Sequence, residues 1–356
     1  MLMIDLLKST YKNKKVFLTG HTGFKGAWML VMLRYLGADV KGYSLEADNP
    51  SLFGKIGGEG LCDSVIGDIN DLDNLSQELK AYQPDFVFHL AAQSIVRRSY
   101  KHPLETFTTN IIGTANLLEA LKGVEGKCAV VVITTDKVYE NVEMDYAYKE
   151  DDKLGGFDPY SSSKAGAEIV TASYRSSFFN MDDHDQHGTA IAVARSGNVI
   201  GGGDYCEDRI IPDIIRSLEA KSTLSVRNPA SIRPWQHVLE PLGGYLLLGA
   251  RLSDDPRAFA SSFNFGPKMG DDLSVEELVK IALDKWGSGE YEKPDSSGEP
   301  HEAGLLKLDI YKAMLELDWH PKMNSEQAIE LTLDWYRNAG SAPLEYCEQQ
   351  VKAYLA

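Results

Sequence analysis

The sequence predicts an α/β protein built on a doubly wound parallel sheet, with a smaller C-terminal α/β region over it. Three observations carry that expectation. Through the first 195 residues, apolar runs closed by glycine or other small residues alternate with stretches of helical spacing. The intervening helical stretches are long enough to act as crossovers between parallel strands covered on both faces. From about residue 196 the alternation gives way to Gly- and Pro-rich loops such as "GNVIGGGDY", "RNPASIRPW" and "FGPKMGDD", which suit a loop-built layer over the carboxyl ends of the strands.

The elements follow in order. "KKVFLTG" (14–20) is an apolar strand closed by glycine, and "FKGAWMLVMLRYLGA" (24–38) spaces its bulky residues as a helix does. "DVKGYSL" (39–45) reads as a strand, "DLDNLSQELKAYQ" (71–83) as an amphipathic helix and "PDFVFHLAA" (84–92) as a strand. "NIIGTANLLEALK" (110–122) is helical, "CAVVVIT" (128–134) a buried strand, "SSSKAGAEIVTASYRSSF" (161–178) a helix and "TAIAVARSG" (189–197) a strand. Further helices are expected at about 209–220, 238–251, 274–286 and 325–338.

Composition narrows the function. In 356 residues, 43% apolar and 25% charged, 36 Lys and Arg stand against 52 Asp and Glu, for a net charge of −16. That balance argues against a broad nucleic-acid footprint or an anionic membrane partner, and any anionic ligand must be met by local cations. The N-terminus has no signal-like apolar core, and no apolar run approaches the roughly 20 residues of a spanning helix, so the cytoplasm is the expected location. Cys62, Cys128, Cys206 and Cys347 are scattered without a CxxC pair, which disfavours a disulfide framework or a zinc site. His184 and His187 in "NMDDHDQHG" lie in a polar loop without a closed ligand set, so no metal is expected.

"TGHTGFKG" places Gly20, Gly23 and Gly26 where the first strand meets its helix, with Phe24 at the helix start. The first glycine permits the turn, the second admits a pyrophosphate to the helix N-terminus, and the third lets helix and strand pack closely. This reads as a Rossmann-type dinucleotide site, although the spacing is GxxGxxG. The second strand ends "GYSLEAD", with Ser44, Glu46 and Asp48 but no arginine, which favours NAD over NADP. Asp68 and Ile69 in "GDIND" are placed to border the adenine, with Asp68 equally suited to cap a helix. Small Ala91 and Ala92 in "HLAAQS" allow close approach of a cofactor.

"YSSSK" puts Tyr160 and Lys164 one helical turn apart, where the lysine cation can lower the phenol's affinity for its proton. Tyr11 and Lys15 repeat the spacing before the first strand, where no chemistry is expected. The helix of Tyr160 follows the strand ending "ITTDK", so the two should meet at one edge of the sheet. Asn198, Arg209 and Arg233 are candidates to hold an anionic ligand, with Arg233 equally able to pack on Trp235.

TGxxGxxG, Thr135 at the end of a central strand, and YxxxK together resemble the extended short-chain dehydrogenase/reductases that act on nucleotide sugars. "ITTDKVYEN", "GNVIGGGDY", "RNPASIRPWQHVLEPL" and "EPHEAGLLKLD" resemble its 4,6-dehydratase members most closely. The resemblance covers about residues 14–338. It implies an NAD-binding Rossmann domain over 1–195 with returning segments near 237–265, and a nucleotide-sugar domain made mainly of 196–236 and 266–356. It further implies bound NAD recycled in each turnover and conversion of CDP-glucose to CDP-4-dehydro-6-deoxyglucose, on a route to surface-polysaccharide deoxysugars. Tyr160, with Lys164 and Thr135, would take the 4-hydroxyl proton. Asp136 would be the acid at C6, and Lys137, where dTDP-glucose enzymes carry a glutamate, either the C5 base or an electrostatic stabiliser. Gln93 and His301 join Asn198, Arg209 and Arg233 around the substrate. Helices near 103–122 and 161–178 would form a four-helix contact in a homodimer or homotetramer. A dehydratase for another nucleotide sugar, a 4-epimerase or reductase that needs Tyr160 and Lys164 without the "TDK" pair, and a non-catalytic redox-sensing binder are the competing readings.

Overall fold

A computed structural model describes residues 3–294 and 304–356. Seven parallel strands form the central sheet: β1 (Lys15–Thr19), β2 (Asp39–Ser44), β3 (Asp63–Ile66), β4 (Phe86–His89), β5 (Cys128–Ile133), β6 (Thr189–Ser196) and β7 (Ser262–Phe265). Their spatial order is β3-β2-β1-β4-β5-β6-β7. The order reverses between β1 and β4, and the crevice outside the strand ends at such a switch point is where doubly wound sheets bind ligands.

The longer helices, of eight residues or more, are α1 (Met3–Tyr11), α2 (Phe24–Tyr35), α3 (Leu72–Tyr82), α4 (Gly113–Ala120), α5 (Pro159–Ser177), α6 (Ile210–Ala220), α7 (Leu239–Asp254), α8 (Val275–Trp286), α9 (Ser325–Asn338) and α10 (Pro343–Leu355). One face of the sheet is covered by α2 and α7, whose buried residues run almost without interruption from Gly26 to Leu33 and from Leu239 to Ala250. Such helices, apolar nearly all round, belong in the middle of a layer rather than at its surface. A second apolar cluster beneath Phe17, Val87, Val130 and Ile191 is closed by Leu75, Leu79, Leu117 and Leu118 of α3 and α4. A third, separate core joins Ile211, Ile214 and Ile215 of α6 to Leu278 and Val279 of α8 and Ile329 and Leu333 of α9. This last core forms the region over the strand ends.

Two strands were not expected. β3 is short, and its pattern "DSVI" is half exposed, so it carries no clean alternation. β7 arrives late in the chain, after the sheet's helix-strand rhythm has ended. The helix expected over 110–122 is in fact broken: a π turn spans Thr108–Ile112 before α4 begins. That turn aims the buried Asn110 at its neighbours. Asn110 accepts from the Gln93 amide at 2.9 Å and donates to the Ser163 hydroxyl at 2.8 Å, tying the end of β4 to α5. Single π turns of this kind recur beside functional sites.

Candidate active site

A cleft of about 860 Å³ opens at the carboxyl ends of β1, β4, β5 and β6, between the sheet and the α6–α8–α9 layer. Gly20, Gly23, Phe24, Gly26, Asp68, Ile69, Ala91 and Ala92 all line it. So do Gln93, Thr135, Lys137, Tyr160, Lys164, Asn198, Arg209 and Arg233. His301 lies outside the described residues.

At the β1–α2 junction the glycines answer steric demands. Gly20 has φ +74, and a Cβ there would stand 2.7 Å from the Ala91 nitrogen. A Cβ on Gly26 would stand 2.0 Å from the Gly20 carbonyl oxygen. Gly23 is the N-cap of α2 and supplies no side-chain cap. The first amides of a buried helix therefore face the cleft, the usual arrangement for binding a pyrophosphate. Along the edge near β2 and β3 the lining residues include Ser44, Glu46, Asp48 and Asp68 and no lysine or arginine, so nothing there would neutralise a ribose phosphate. Asp68 does not cap a helix, as one reading of the sequence had it. Its Oδ1 accepts from the Asn70 amide at 2.9 Å, and Asp71 caps α3 instead.

Across the cleft, β5 ends in a turn over Asp136–Val138 whose N-cap is Thr135. The Thr135 hydroxyl donates to Asp136 Oδ1 at 2.8 Å, and Lys137 Nζ reaches the same oxygen at 3.3 Å and Asn198 Oδ1 at 3.5 Å. Asp136 is fully buried, and its Oδ2 has no hydrogen-bond partner among the described residues. The carboxylate thus sits behind Thr135 and Lys137, which present the cleft face.

Tyr160 stands in the first turn of α5, after Pro159 and the Asp158 cap, with its backbone amide on the Ser99 hydroxyl at 3.1 Å. Lys164, one turn on, donates from Nζ to the Ile133 carbonyl at 2.8 Å. Burial pushes the Tyr160 phenol up to about 12, while the Thr135 hydroxyl hydrogen-bonded to it works the other way. Lys164 spends one of its three N–H groups on the strand end, and burial is the largest influence on the phenol. Lys164 itself is pushed down to about 8 by burial, against the opposing attraction of Glu168.

Arg209 bonds Asp204 Oδ2 at 3.1 Å and Ser94 Oγ at 3.2 Å. Burial opposes its charge, but Asp204 more than restores it, holding the guanidinium above its usual value. Arg233 is buried in the short strand Ile232–Arg233, with Nη1 donating to its own strand's Ile232 carbonyl at 3.0 Å. Gln93 spends its amide on Thr106 Oγ1 at 2.8 Å and the Ile95 backbone, so it shapes the wall of the cleft.

Sequence reasoning missed several lining residues, among them Lys25, Arg97, Arg227 and Ser196. Lys25 sits inside the glycine motif, with Nζ donating to Ser196 Oγ at 2.9 Å. Burial, and after it Arg209 and Lys164, push it down to about 7. A lysine between two motif glycines was a visible signal.

This chain is similar to several nucleotide-sugar enzymes. Residues 17–332 match the family model described as GDP-mannose 4,6 dehydratase. The chain is 46% identical to the CDP-glucose 4,6-dehydratase of Salmonella typhimurium, over 94% of this chain and 93% of that protein. It is 30% identical to a dTDP-glucose 4,6-dehydratase of Streptomyces antibioticus, over 77% and 76%. Among solved structures, the dTDP-glucose 4,6-dehydratase of Streptomyces venezuelae with NAD and TYD bound superposes with a TM-score of 0.75 at 25% identity, covering 93% of this chain and 99% of that one. The UDP-glucose 4-epimerase of Thermotoga maritima, at 24% identity and TM-score 0.74, shares the fold. The chain belongs to the GDP-mannose 4,6 dehydratase family, within the extended short-chain dehydrogenase/reductases that act on nucleotide sugars.

Proposed function

We propose that this protein is an NAD-dependent CDP-glucose 4,6-dehydratase that forms CDP-4-dehydro-6-deoxyglucose. The observation that carries the reading is the joining of two groups in one cleft. An oxidation couple, Tyr160 with Lys164, faces a strand end whose Thr135, Asp136 and Lys137 form a proton-transfer cluster. An epimerase needs only the first group. The 46% identity to a CDP-glucose enzyme supports the choice of nucleotide and sugar.

The open α2 N-terminus and the glycine-to-glycine approach at Gly20 and Gly26 fit a dinucleotide. Gly20, Gly23 and Gly26 would hold NAD, which would supply reversible hydride-acceptor chemistry at the sugar. Tyr160 takes the 4-hydroxyl proton, with the Thr135 hydroxyl turning from Asp136 Oδ1 to the phenol oxygen and the Lys164 charge stabilising the tyrosinate. The 4-ketone acidifies C5–H. We assign removal of that proton, and protonation of the departing 6-hydroxyl, to Asp136 and Lys137 together, because their charged ends are 3.3 Å apart. Arg209 and Arg233 serve the diphosphate, with Asn198 fixing Lys137.

Among the described residues no helix is long and apolar enough to cross a membrane. We place the activity in the cytoplasm, in a homodimer or homotetramer, supplying deoxysugars for a surface polysaccharide of the lipopolysaccharide type. Incubating the protein with NAD and CDP-glucose, and reading the alkaline absorbance of a 4-keto-6-deoxy product, tests the reading. Product from another nucleotide sugar but not from CDP-glucose would keep dehydration and overturn the substrate.

A further inference from the structure

Behind the cleft lies a charge pair that the reaction itself does not use. Glu168 and Arg195 are each almost wholly buried, at 4% and 3% exposure. Arg195 Nε donates to both Glu168 carboxylate oxygens, at 2.8 and 3.0 Å, and Nη2 donates to Oε2 at 2.5 Å. The free edge of the guanidinium continues to the Tyr139 hydroxyl at 2.7 Å and the Glu150 carbonyl at 2.9 Å. Glu168 Oε1 also accepts from the Thr134 hydroxyl at 2.6 Å.

The positions in the chain give these bonds their meaning. Tyr160, Lys164 and Glu168 fall on three successive turns of one face of α5. They meet three consecutive residues at the end of β5: Tyr160 the Thr135 hydroxyl, Lys164 the Ile133 carbonyl and Glu168 the Thr134 hydroxyl. Arg195 is the residue before Ser196, Gly197 and Asn198, the segment that carries Asn198 to Lys137. Tyr139, two residues after Lys137, closes the ring and donates to Asn264 of β7 at 2.7 Å. A buried ion pair is a weak source of stability, since desolvation consumes most of its attraction. Its retention where three segments of the active site converge calls for another role.

We propose that Glu168 and Arg195 are a positioning pair for the catalytic cluster: they register α5 against the end of β5, and Glu168 supplies the counter-charge for Lys164. The inference rests on the reading of Tyr160 and Lys164 as the reacting couple and deepens it. Lys164 faces Glu168 and Tyr160 on its own helix, His89 from β4 and Lys25 from the glycine motif. His89 is held neutral, pushed down to about 3 by burial and then by Lys164. Glu168 is therefore the anion among these neighbours.

The test is the proton titration of Lys164 in the full-length protein. It is followed by NMR of isotope-labelled lysine, with the resonance assigned by its loss in Lys164→Arg. In the wild type the midpoint is expected near 8. Glu168→Gln should lower it by on the order of one pH unit, Glu168→Asp should restore most of the shift, and Glu168→Gln with Arg195→Met should return it toward the wild-type value because both charges leave together. An unmoved midpoint in folded Glu168→Gln overturns the electrostatic part. Should that variant fail to fold, Thr134→Val keeps the ion pair and removes only the registering bond. It is expected to lower kcat roughly tenfold or more with KM little changed, and an unchanged kcat overturns the positioning part. The titration needs no substrate, so a wild type that leaves CDP-glucose untouched sinks the proposed function while the pair is still tested.

Discussion

Lys164 Nζ and the Ile133 carbonyl oxygen lie 2.8 Å apart, joining the catalytic helix to the strand that delivers Thr135, Asp136 and Lys137. The bond fixes where the ammonium stands, and burial brings its proton loss to about 8. Activity that needs the ammonium should fall as pH rises through about 8, and Lys164→Arg should remove that limb from the kcat profile. Stability runs the other way. Between about 8 and the unfolded value of about 10.4 the folded chain holds fewer protons at this site than the unfolded chain, so this group's penalty on folding shrinks as pH rises. Chemical denaturation across that window checks the sign.

Thr135→Val should lower kcat by about a hundredfold or more. It removes the hydroxyl that holds the Tyr160 phenol down, so the phenol moves further up. The pH dependence of substrate oxidation should shift toward alkali. A profile that stays in place would show that the hydroxyl does not address Tyr160.

Lys137→Met divides the reaction. Oxidation at C4 belongs to Tyr160, so the nicotinamide absorbance should still respond to substrate, whereas solvent deuterium should no longer enter C5 and product formation should fall by about 10²–10⁴. Undiminished exchange at C5 would remove Lys137 from the proton-transfer pair and leave it as a stabiliser of the enolate.

Gly26→Ala is expected to destabilise the fold by about 1–3 kcal/mol, because its Cβ would fall 2.0 Å from a backbone oxygen that cannot move without the Gly20 turn. Thermal unfolding measures the loss. Dinucleotide titration by fluorescence should show weaker binding in any protein that still folds.

Ile112 and Ile169 are 51% and 60% exposed on the helical segments expected to meet a second copy, and Leu104 is 80% exposed. Ile169→Glu should convert an associated wild type to a smaller species in light scattering. A wild type that runs as a monomer would refute the assembly outright.

Much of this was legible because the local signals agreed with the global fold. β5 reads "CAVVVI" and is buried at every position, which is what a central parallel strand requires. The glycine motif, Thr135 and Tyr160 were recognisable because turn sterics, strand ends and helical spacing leave marks in sequence. The Asp136 environment was not legible. Its burial behind Thr135, and the meeting of Lys137 with Asn198 sixty-one positions away, depend on how β5 and β6 align. The burial of Tyr160 was not legible for a related reason: spacing shows that Lys164 stands one turn away, but not how deeply the phenol lies or that Lys164 also bonds a strand carbonyl. Glu168 in an amphipathic helix and Arg195 near the end of an apolar strand look like surface charges until the sheet closes over them.

The buried helix α2 is braced by residues from late in the chain, with a consequence for how the protein is made. Trp28 Nε1 donates to the Gly202 carbonyl at 2.9 Å, Gly202 lies against the Trp335 ring, and Trp335 Nε1 in turn reaches Cys347 Sγ of α10 at 3.3 Å. The glycine motif leaves the ribosome early, yet the wall that steadies its helix is supplied by residues synthesised long afterwards. A nascent chain displays the cofactor loop before it has the means to hold it rigid. Truncation after Ala342 should therefore weaken dinucleotide binding although every lining residue remains, and a truncated chain that binds as tightly as the whole would show that the loop matures on its own.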